Sequence, residues 1–415
     1  MFTVRFLSPP MLESMESQQL DKGSASEVFK VFLKLGLTSF GGPIAHLGYF
    51  RTELVDRRRW LDDQQYAQLV ALGQFLPGPA SSQVGFGLGL HRAGLPGALA
   101  AFLAFTLPSA VLLAVFAFGA SLFTGPAGTG LLTGLKIVAV AIIAQAVSGM
   151  ARTLAPDRTR AAIAVAAAAS ALLLAGSFGQ LLAIAFGAAA GYFWCRDADS
   201  GPASALRFPV SRTLGISCLA LFALMLVGLP LAAWATGWDL LAFIDAFYRS
   251  GALVFGGGHV VLPLLQSAVV DPGLISSQDF LSGYGAAQAV PGPLFTFAAY
   301  LGVLVESGPG GVLGSAIALL AIFLPGFLLL LGVLPFWNRV SHWPAARAIL
   351  RGANAAVVGV LAAALYDPVF TSAITSAPAF VLALLCFVLL TVWKTAPWIV
   401  VAISGLGGVL LGLLA

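Results

Sequence analysis

The chain repeats itself. Residues 39–43 read SFGGP and residues 254–258 read VFGGG; residues 74–79 read QFLPGP and residues 288–293 read QAVPGP. Pro108 in FTLPSA has its counterpart in Pro325 of IFLPGF, and the offset between partners stays between 214 and 217. A duplication at that period requires two related halves, whatever each half folds into. The expected organisation is a disordered cytoplasmic leader over 1–26, a first repeat over 27–195, a cytoplasmic loop and linker transmembrane helix over 196–238, and a second repeat over 239–415.

What lies between the motifs decides the solvent. Apolar runs near twenty residues recur along the whole chain, and only 9% of the residues are charged, against about 25% in a typical soluble domain. So little charge excludes a soluble globular enzyme, and the short alternating segments of a β-barrel are absent. The fold class is an all-α polytopic membrane protein. After each PGP come four uninterrupted apolar segments, at 94–122, 128–151, 161–176 and 178–195 and again at 309–335, 345–365, 375–393 and 396–414. The linker at 213–235 makes nine full spans. The three cysteines, Cys195, Cys218 and Cys386, are far apart without any CxxC or CxxH pattern, so they read as packing residues rather than a disulfide or metal set.

Basic loops orient the halves. Arg51, Arg57, Arg58 and Arg59 crowd one loop of the first half, while its counterpart at 266–274 has no basic residue. Arg152, Arg158 and Arg160 likewise face a bare 366–374, and the bias then swaps, with an uncharged 121–127 against Arg339 and Arg347. The two halves are expected to sit oppositely in the membrane, as an inverted-topology repeat. The segments around FGG and PGP read as re-entrant hairpins, which keep Arg51 to Arg59 inside. Full broken spans are the rival and give about thirteen crossings in place of nine. Both place the N-terminus in the cytoplasm and the C-terminus outside.

Non-helical backbone at membrane depth is tolerated only where protein or a water-filled cavity covers it. Four breaks of this kind are encoded, at Gly41-Gly42-Pro43, Pro77-Gly78-Pro79, Gly256-Gly257-Gly258 and Pro291-Gly292-Pro293. A single break can mean no more than close packing or a kink; four at matched positions point to a substrate site. Helices starting after each PGP offer free N–H groups to an anion, with the hydroxyls of Ser81, Ser82 and Thr296 as further donors. One helix end is worth about 0.3–1 kcal/mol towards an anion, less than the several kcal/mol needed to dehydrate a charge. Fixed cations are therefore expected to help. Two basic pairs keep the repeat offset, Lys34 with Arg249 and Lys136 with Arg351, although such side chains also snorkel to headgroups. His46 and His259 each lie beside a break, as packing groups or as substrate or proton ligands. Gln74 and Gln288, three residues before each PGP, either donate to substrate or tie down the loop. Glu53 and Asp56 read as salt partners of the arginine cluster rather than proton carriers.

At these motifs the sequence resembles a known family. LTSFGGPIAHLGYFRTELVDRRRWLDDQQYAQLVALGQFLPGPASSQVG is similar to the first-half signature of the chromate ion transporter family, and VFGGGHVVLPLL with GYGAAQAVPGPLFTFAAYLG to its second-half signature. The resemblance covers both halves, as in a long-chain, two-domain member. It implies a secondary active transporter that exports chromate across the cytoplasmic (inner) membrane, driven by the membrane potential or the proton motive force, and so confers chromate resistance. Its partners are then chromate or a related oxyanion, protons as coupling ion and the lipid bilayer; a homodimer is compatible, and nucleic acid, cofactor and metal are not expected. A permease for sulfate or another oxyanion stays open, because sulfate shares chromate's charge and shape. Two other classes have less behind them. An intramembrane enzyme lacks HExxH, GxSxG or paired aspartates in the spans, and a structural subunit leaves the matched breaks without a purpose.

Overall fold

The computed structural model describes residues 23–119, 125–174, 176–196, 208, 210–255, 258–305, 308–340 and 343–414. These residues are mostly helical, with no strand among them. The expected leader at 1–26 lies outside the described residues except for its last four, and the first helix already begins at Ala25, capped by Ser24 Oγ, which accepts the Glu27 N–H.

The first half opens with three short helices, α1 (Ala25–Thr38), α2 (Gly42–Phe50) and α3 (Asp63–Phe75), followed by the long α4 (Ala80–Gly119). α2 continues as a π-helical turn over Arg51–Arg57, and α4 is kinked at Ala93 and Gly94 into arms over 80–92 and 95–119. α5 (Gly125–Leu154), α6 (Arg158–Leu173) and α7 (Gly176–Trp194) follow, then the linker helix α8 (Arg212–Thr236). The second half begins with α9 (Asp239–Ala252), α10 (Val261–Val269), α11 (Ser277–Ala287) and α12 (Phe297–Leu304). It goes on through α13 (Gly311–Val333), the short α14 (Trp337–Val340), α15 (Pro344–Ala364), the single turn α16 (Thr371–Ala373), α17 (Ala377–Thr391) and α18 (Pro397–Leu414).

Among the described residues, six helical stretches are long and apolar enough to cross a membrane, where nine spans were expected. The shortfall is in α6 and α17, of 16 and 15 residues, and in α7, whose apolar stretch is confined to Gly179–Trp194. At 1.5 Å per residue, 15 or 16 residues reach about 23–24 Å, short of a hydrocarbon core of about 30 Å. The loop expected at 366–374 is largely helical instead. α15 runs into a π-helical turn over Leu365–Phe370, interrupted only at Asp367, and continues to Ala373.

The chain path of the interrupted segments follows from two contacts of Arg92. Arg92, at the end of the first arm of α4, is ion-paired with Glu27 near the start of α1, at 3.2 Å. The same guanidinium covers the Trp60 ring between α2 and α3, 5.4 Å from its centroid. The start, middle and end of the 24–92 segment therefore meet at one place, and each half of it runs out to its break and returns.

The closing helices of each half pack on the other half. α6 and α7 lie against α15, while α17 and α18 lie against α5. Apolar surface gives no net drive for helix association in lipid, so small residues and polar contacts must supply it. A Cβ on Gly134 would stand 2.2 Å from the Ser404 carbonyl oxygen, and one on Gly352 2.0 Å from that of Gly187. Ser404 Oγ also donates to the Gly134 carbonyl at 2.8 Å. The backbones touch because a glycine on at least one side of each contact leaves no side chain to hold them apart.

Candidate functional site

The four breaks converge on one point, the crossing. Gly78, in the first PGP, donates its N–H to the carbonyl of Val254, directly before the second FGG, at 2.8 Å. Gly292, in the second PGP, donates to the carbonyl of Ser39, directly before the first FGG, at 2.9 Å. Each PGP of one half thus closes on the FGG of the other. Both glycines are left-handed, with φ of 120° and 101°, a region where a side chain is strained. A Cβ on Gly78 would stand 3.1 Å from Gly326 Cα, and one on Gly292 2.8 Å from Ser109 Oγ. Ser109 and Gly326 follow Pro108 and Pro325, so the third repeated motif also meets the PGP of the opposite half. Pro43 joins the remaining FGG, its Cγ lying 3.1 Å from a Cβ placed on Gly258.

The helix N-termini after each PGP differ. In the first half an α-helix begins at once at Ala80, with the Gln83 N–H bonded to the Pro79 carbonyl at 2.9 Å. In the second half Leu294–Thr296 forms a 3-10 turn before α12, and Thr296 Oγ1 is spent on the Pro293 carbonyl at 2.7 Å.

Around the crossing the first half supplies polar groups. His46 is fully buried, with Nδ1 3.3 Å from Ser81 Oγ and its ring edge-on to Phe105. Gln83 Nε2 bridges the two halves, donating to the Pro77 carbonyl at 2.9 Å and the Gly326 carbonyl at 3.0 Å. Ser39 Oγ, Ser82 Oγ, Thr106 Oγ1 and His46 Nε2 are buried and make no hydrogen bond within the described protein. Buried hydroxyls seldom go unpaired, so such groups at a broken-helix crossing are ready donors for a ligand. On the second-half side, His259 Nδ1 meets the Tyr284 hydroxyl at 2.8 Å and Gln288 Nε2 is buried without a partner. Gly41, Gly42, Pro77, Pro79, Pro291 and Pro293 frame the crossing; Gly256 and Gly257 lie outside the described residues.

The four cations do not gather there. Lys34 is half exposed and paired with Glu53 at 3.2 Å. Glu53 also accepts from Arg57 at 3.4 Å and Arg58 at 2.9 Å. Burial pushes this carboxyl up, but the hydrogen bonds from Arg58 and Lys34 outweigh it and hold Glu53 below the usual carboxylate range. Asp56 pairs with Arg51 at 3.4 Å. Arg249 is ion-paired with Asp245, Arg351 donates to the Cys195 carbonyl beyond the end of α7 at 3.2 Å, and Lys136 is half-buried on α5 facing Asp279. Gln74 is exposed on the last turn of α3. Ser39, Gln83, Thr106 and Ser109 join the crossing without having been singled out from the sequence. Ser39 and Ser109 were legible, since each adjoins a repeated motif.

The Chromate transporter family matches the chain twice, over residues 26–192 and 241–409. A probable chromate transport protein of Synechococcus elongatus is 28% identical, covering 93% of this chain and 95% of that protein. Chromate transport proteins of Pseudomonas aeruginosa and Cupriavidus metallidurans are also 28% identical, covering 83% and 92% of this chain and 81% and 91% of their own lengths. No solved structure matches. With both halves matched and the apolar helices to cross a bilayer, the chain is a multi-pass membrane protein of the chromate transporter family.

Proposed function

We propose that the protein is a secondary active transporter that exports chromate, or another tetrahedral oxyanion dianion, across the cytoplasmic membrane. The observation that carries this reading is the reciprocal closure of Gly78 on Val254 and Gly292 on Ser39, beside the buried hydroxyls of Ser39, Ser82 and Thr106. The anion is held where the four breaks meet, by those hydroxyls, Ser81 and His46. The fixed cations act from a distance, along its route.

The two halves are inverted repeats, and the 24–92 segment forms two re-entrant hairpins with tips at FGG and PGP. The return of Arg92 to Glu27 and Trp60 supports this path. The N-terminus is cytoplasmic and the C-terminus external. With the cell interior negative, each outward-moving negative charge gains about 2.3 kcal/mol per 100 mV, so a dianion gains about 4.6 kcal/mol. Export is driven by the potential, with protons as countertransported ion, and results in chromate resistance.

Reconstitution into liposomes with labelled chromate and sulfate, at imposed voltage and pH gradients, tests this. The expected result is chromate flux that rises with a potential negative on the loading side and is competed by sulfate. Protein that moves neither anion overturns the reading; sulfate moved in preference to chromate reassigns the substrate.

A further inference from the structure

A second polar region lies behind the crossing, and its central residue is not marked by the repeat. α9 carries Asp245 and Arg249 one turn apart, and the Arg249 guanidinium is ion-paired with Asp245 Oδ2. Asp245 is 5% exposed, and its other oxygen, Oδ1, is buried without a donor. Both residues line a cavity of about 410 Å³ that follows α9 from Asp239, its first residue, to Leu253, just past its last. Leu253 adjoins Val254, whose carbonyl receives the Gly78 N–H. The cavity therefore leads to the back of the crossing, and Gln180, Ser250 and Ser267 add polar groups to its wall.

A guanidinium presents five N–H donors in a fork that fits the paired oxygens of a carboxylate or of a tetrahedral oxyanion equally well. Among the described residues Arg249 has one ion-pair partner, and its side chain is 39% exposed. The carboxylate opposite it is poorly served, because a buried charge with an unpaired oxygen is costly and depends on its one ion pair. With Asp239 and Asp245 against a single arginine, the resting cavity does not attract a dianion.

We propose that this cavity is a vestibule for the transported oxyanion, in which Asp245 competes with the anion for Arg249. The proposal rests on the oxyanion reading above. An anion that takes the guanidinium leaves Asp245 buried and unpaired. The carboxylate, tethered one turn away at high effective concentration, then takes Arg249 back and expels the anion. In the orientation proposed above the vestibule opens outward, so this arrangement speeds release and keeps external oxyanion out.

The test is sulfate binding to the purified full-length protein, read as the sulfate-dependent rise in melting temperature. Asp245→Asn frees Arg249 at nearly constant shape and is expected to lower the half-saturating sulfate concentration about tenfold. Asp245→Ser, a smaller side chain, should give a gain of the same sign. In an Arg249→Gln background the Asp245→Asn change should do nothing. Unchanged binding in both Asp245 variants, or an equal gain with and without Arg249, overturns the proposal. Flux in liposomes tests the oxyanion reading separately: a wild-type protein without flux defeats that reading, whereas flux with unaltered binding in the Asp245 variants defeats only the vestibule.

Discussion

The two sides of the crossing share a backbone and differ in chemistry. Ser39, Ser81, Gln83, Thr106 and Ser109 in the first half correspond at the repeat offset to Val254, Phe295, Phe297, Phe323 and Gly326 in the second. Ser82 corresponds to Thr296, the one hydroxyl kept on both sides, and in the second half it is tied to Pro293. The breaks, the left-handed glycines and the cross-half hydrogen bonds recur in both halves; the side-chain donors are concentrated in one. Duplication supplied a frame in which two loops brace each other. Within it one half became the polar wall and the other an aromatic wall, with Phe323 5.1 Å from Phe102 and Phe327 stacked on Phe86 at 4.4 Å.

If the frame is common to both sides, damage to it should be symmetric and large. Gly78→Ala and Gly292→Ala each force a side chain into a left-handed backbone against a close neighbour, at a cost of about 1–3 kcal/mol for the strain alone. Both should lower the melting temperature of purified protein and abolish flux. A variant that keeps full stability and flux would separate that glycine from the crossing.

The chemistry should respond asymmetrically. Ser82→Ala and Thr106→Val remove donors that no group among the described residues uses, so stability should hold while the KM for anion rises. A hydrogen bond to a charged group is worth about 1.5–3 kcal/mol, or roughly ten- to a hundredfold. Thr296→Val removes a hydroxyl bonded to Pro293, and should instead cost about 1 kcal/mol of stability at nearly unchanged KM. Equal KM effects on the two sides would erase the distinction.

Gln83 belongs to both categories. Gln83→Leu strands the Pro77 and Gly326 carbonyls, one from each half, and should destabilise by about 1–3 kcal/mol per unsatisfied group. Its counterpart Phe297→Leu should cost only packing, so a melting-temperature drop smaller for Gln83→Leu than for Phe297→Leu would count against the bridging role.

The smallest effects belong to the rim. Lys34→Ala leaves Glu53 with Arg57 and Arg58, and should change stability and flux little. A carboxyl held below its ordinary range binds its proton more weakly when folded than when unfolded. Glu53 therefore stabilises the fold above about pH 4.3, the ordinary glutamate value, and this contribution is lost as pH falls through that value and below. Glu53→Gln should flatten that acid limb of the stability curve; an unchanged limb would assign it to other carboxylates.

How much of this was legible depends on range. Gly and Pro act through their own backbone, so the breaks at 41–43, 77–79 and 291–293 could be read directly, and so could the start of a helix at Ala80. The basic pairs were legible as pairs but not as ligands. Lys34 answers to Glu53, nineteen residues on, and Arg351 to the Cys195 carbonyl, 156 residues away. Arg249 is the exception, because its partner Asp245 lies one helical turn earlier and the i,i+4 spacing is visible in the sequence. The shortness of α6 and α17 was partly visible too, but their apolar composition argued for full spans and only the helix ends showed otherwise.

Sequence alone determined the solvent, the duplication and the places where helices must stop, because apolar content, motif repetition and the limits of Gly and Pro are properties of the chain itself. Only tertiary structure decided that each PGP closes on the opposite FGG, that the closing helices pack on the other half, and that the hydroxyls of one half line the crossing. Those outcomes rest on backbone hydrogen bonds and Cβ-free contacts between residues some 165 to 270 positions apart, and no local pattern encodes which partner such groups will meet.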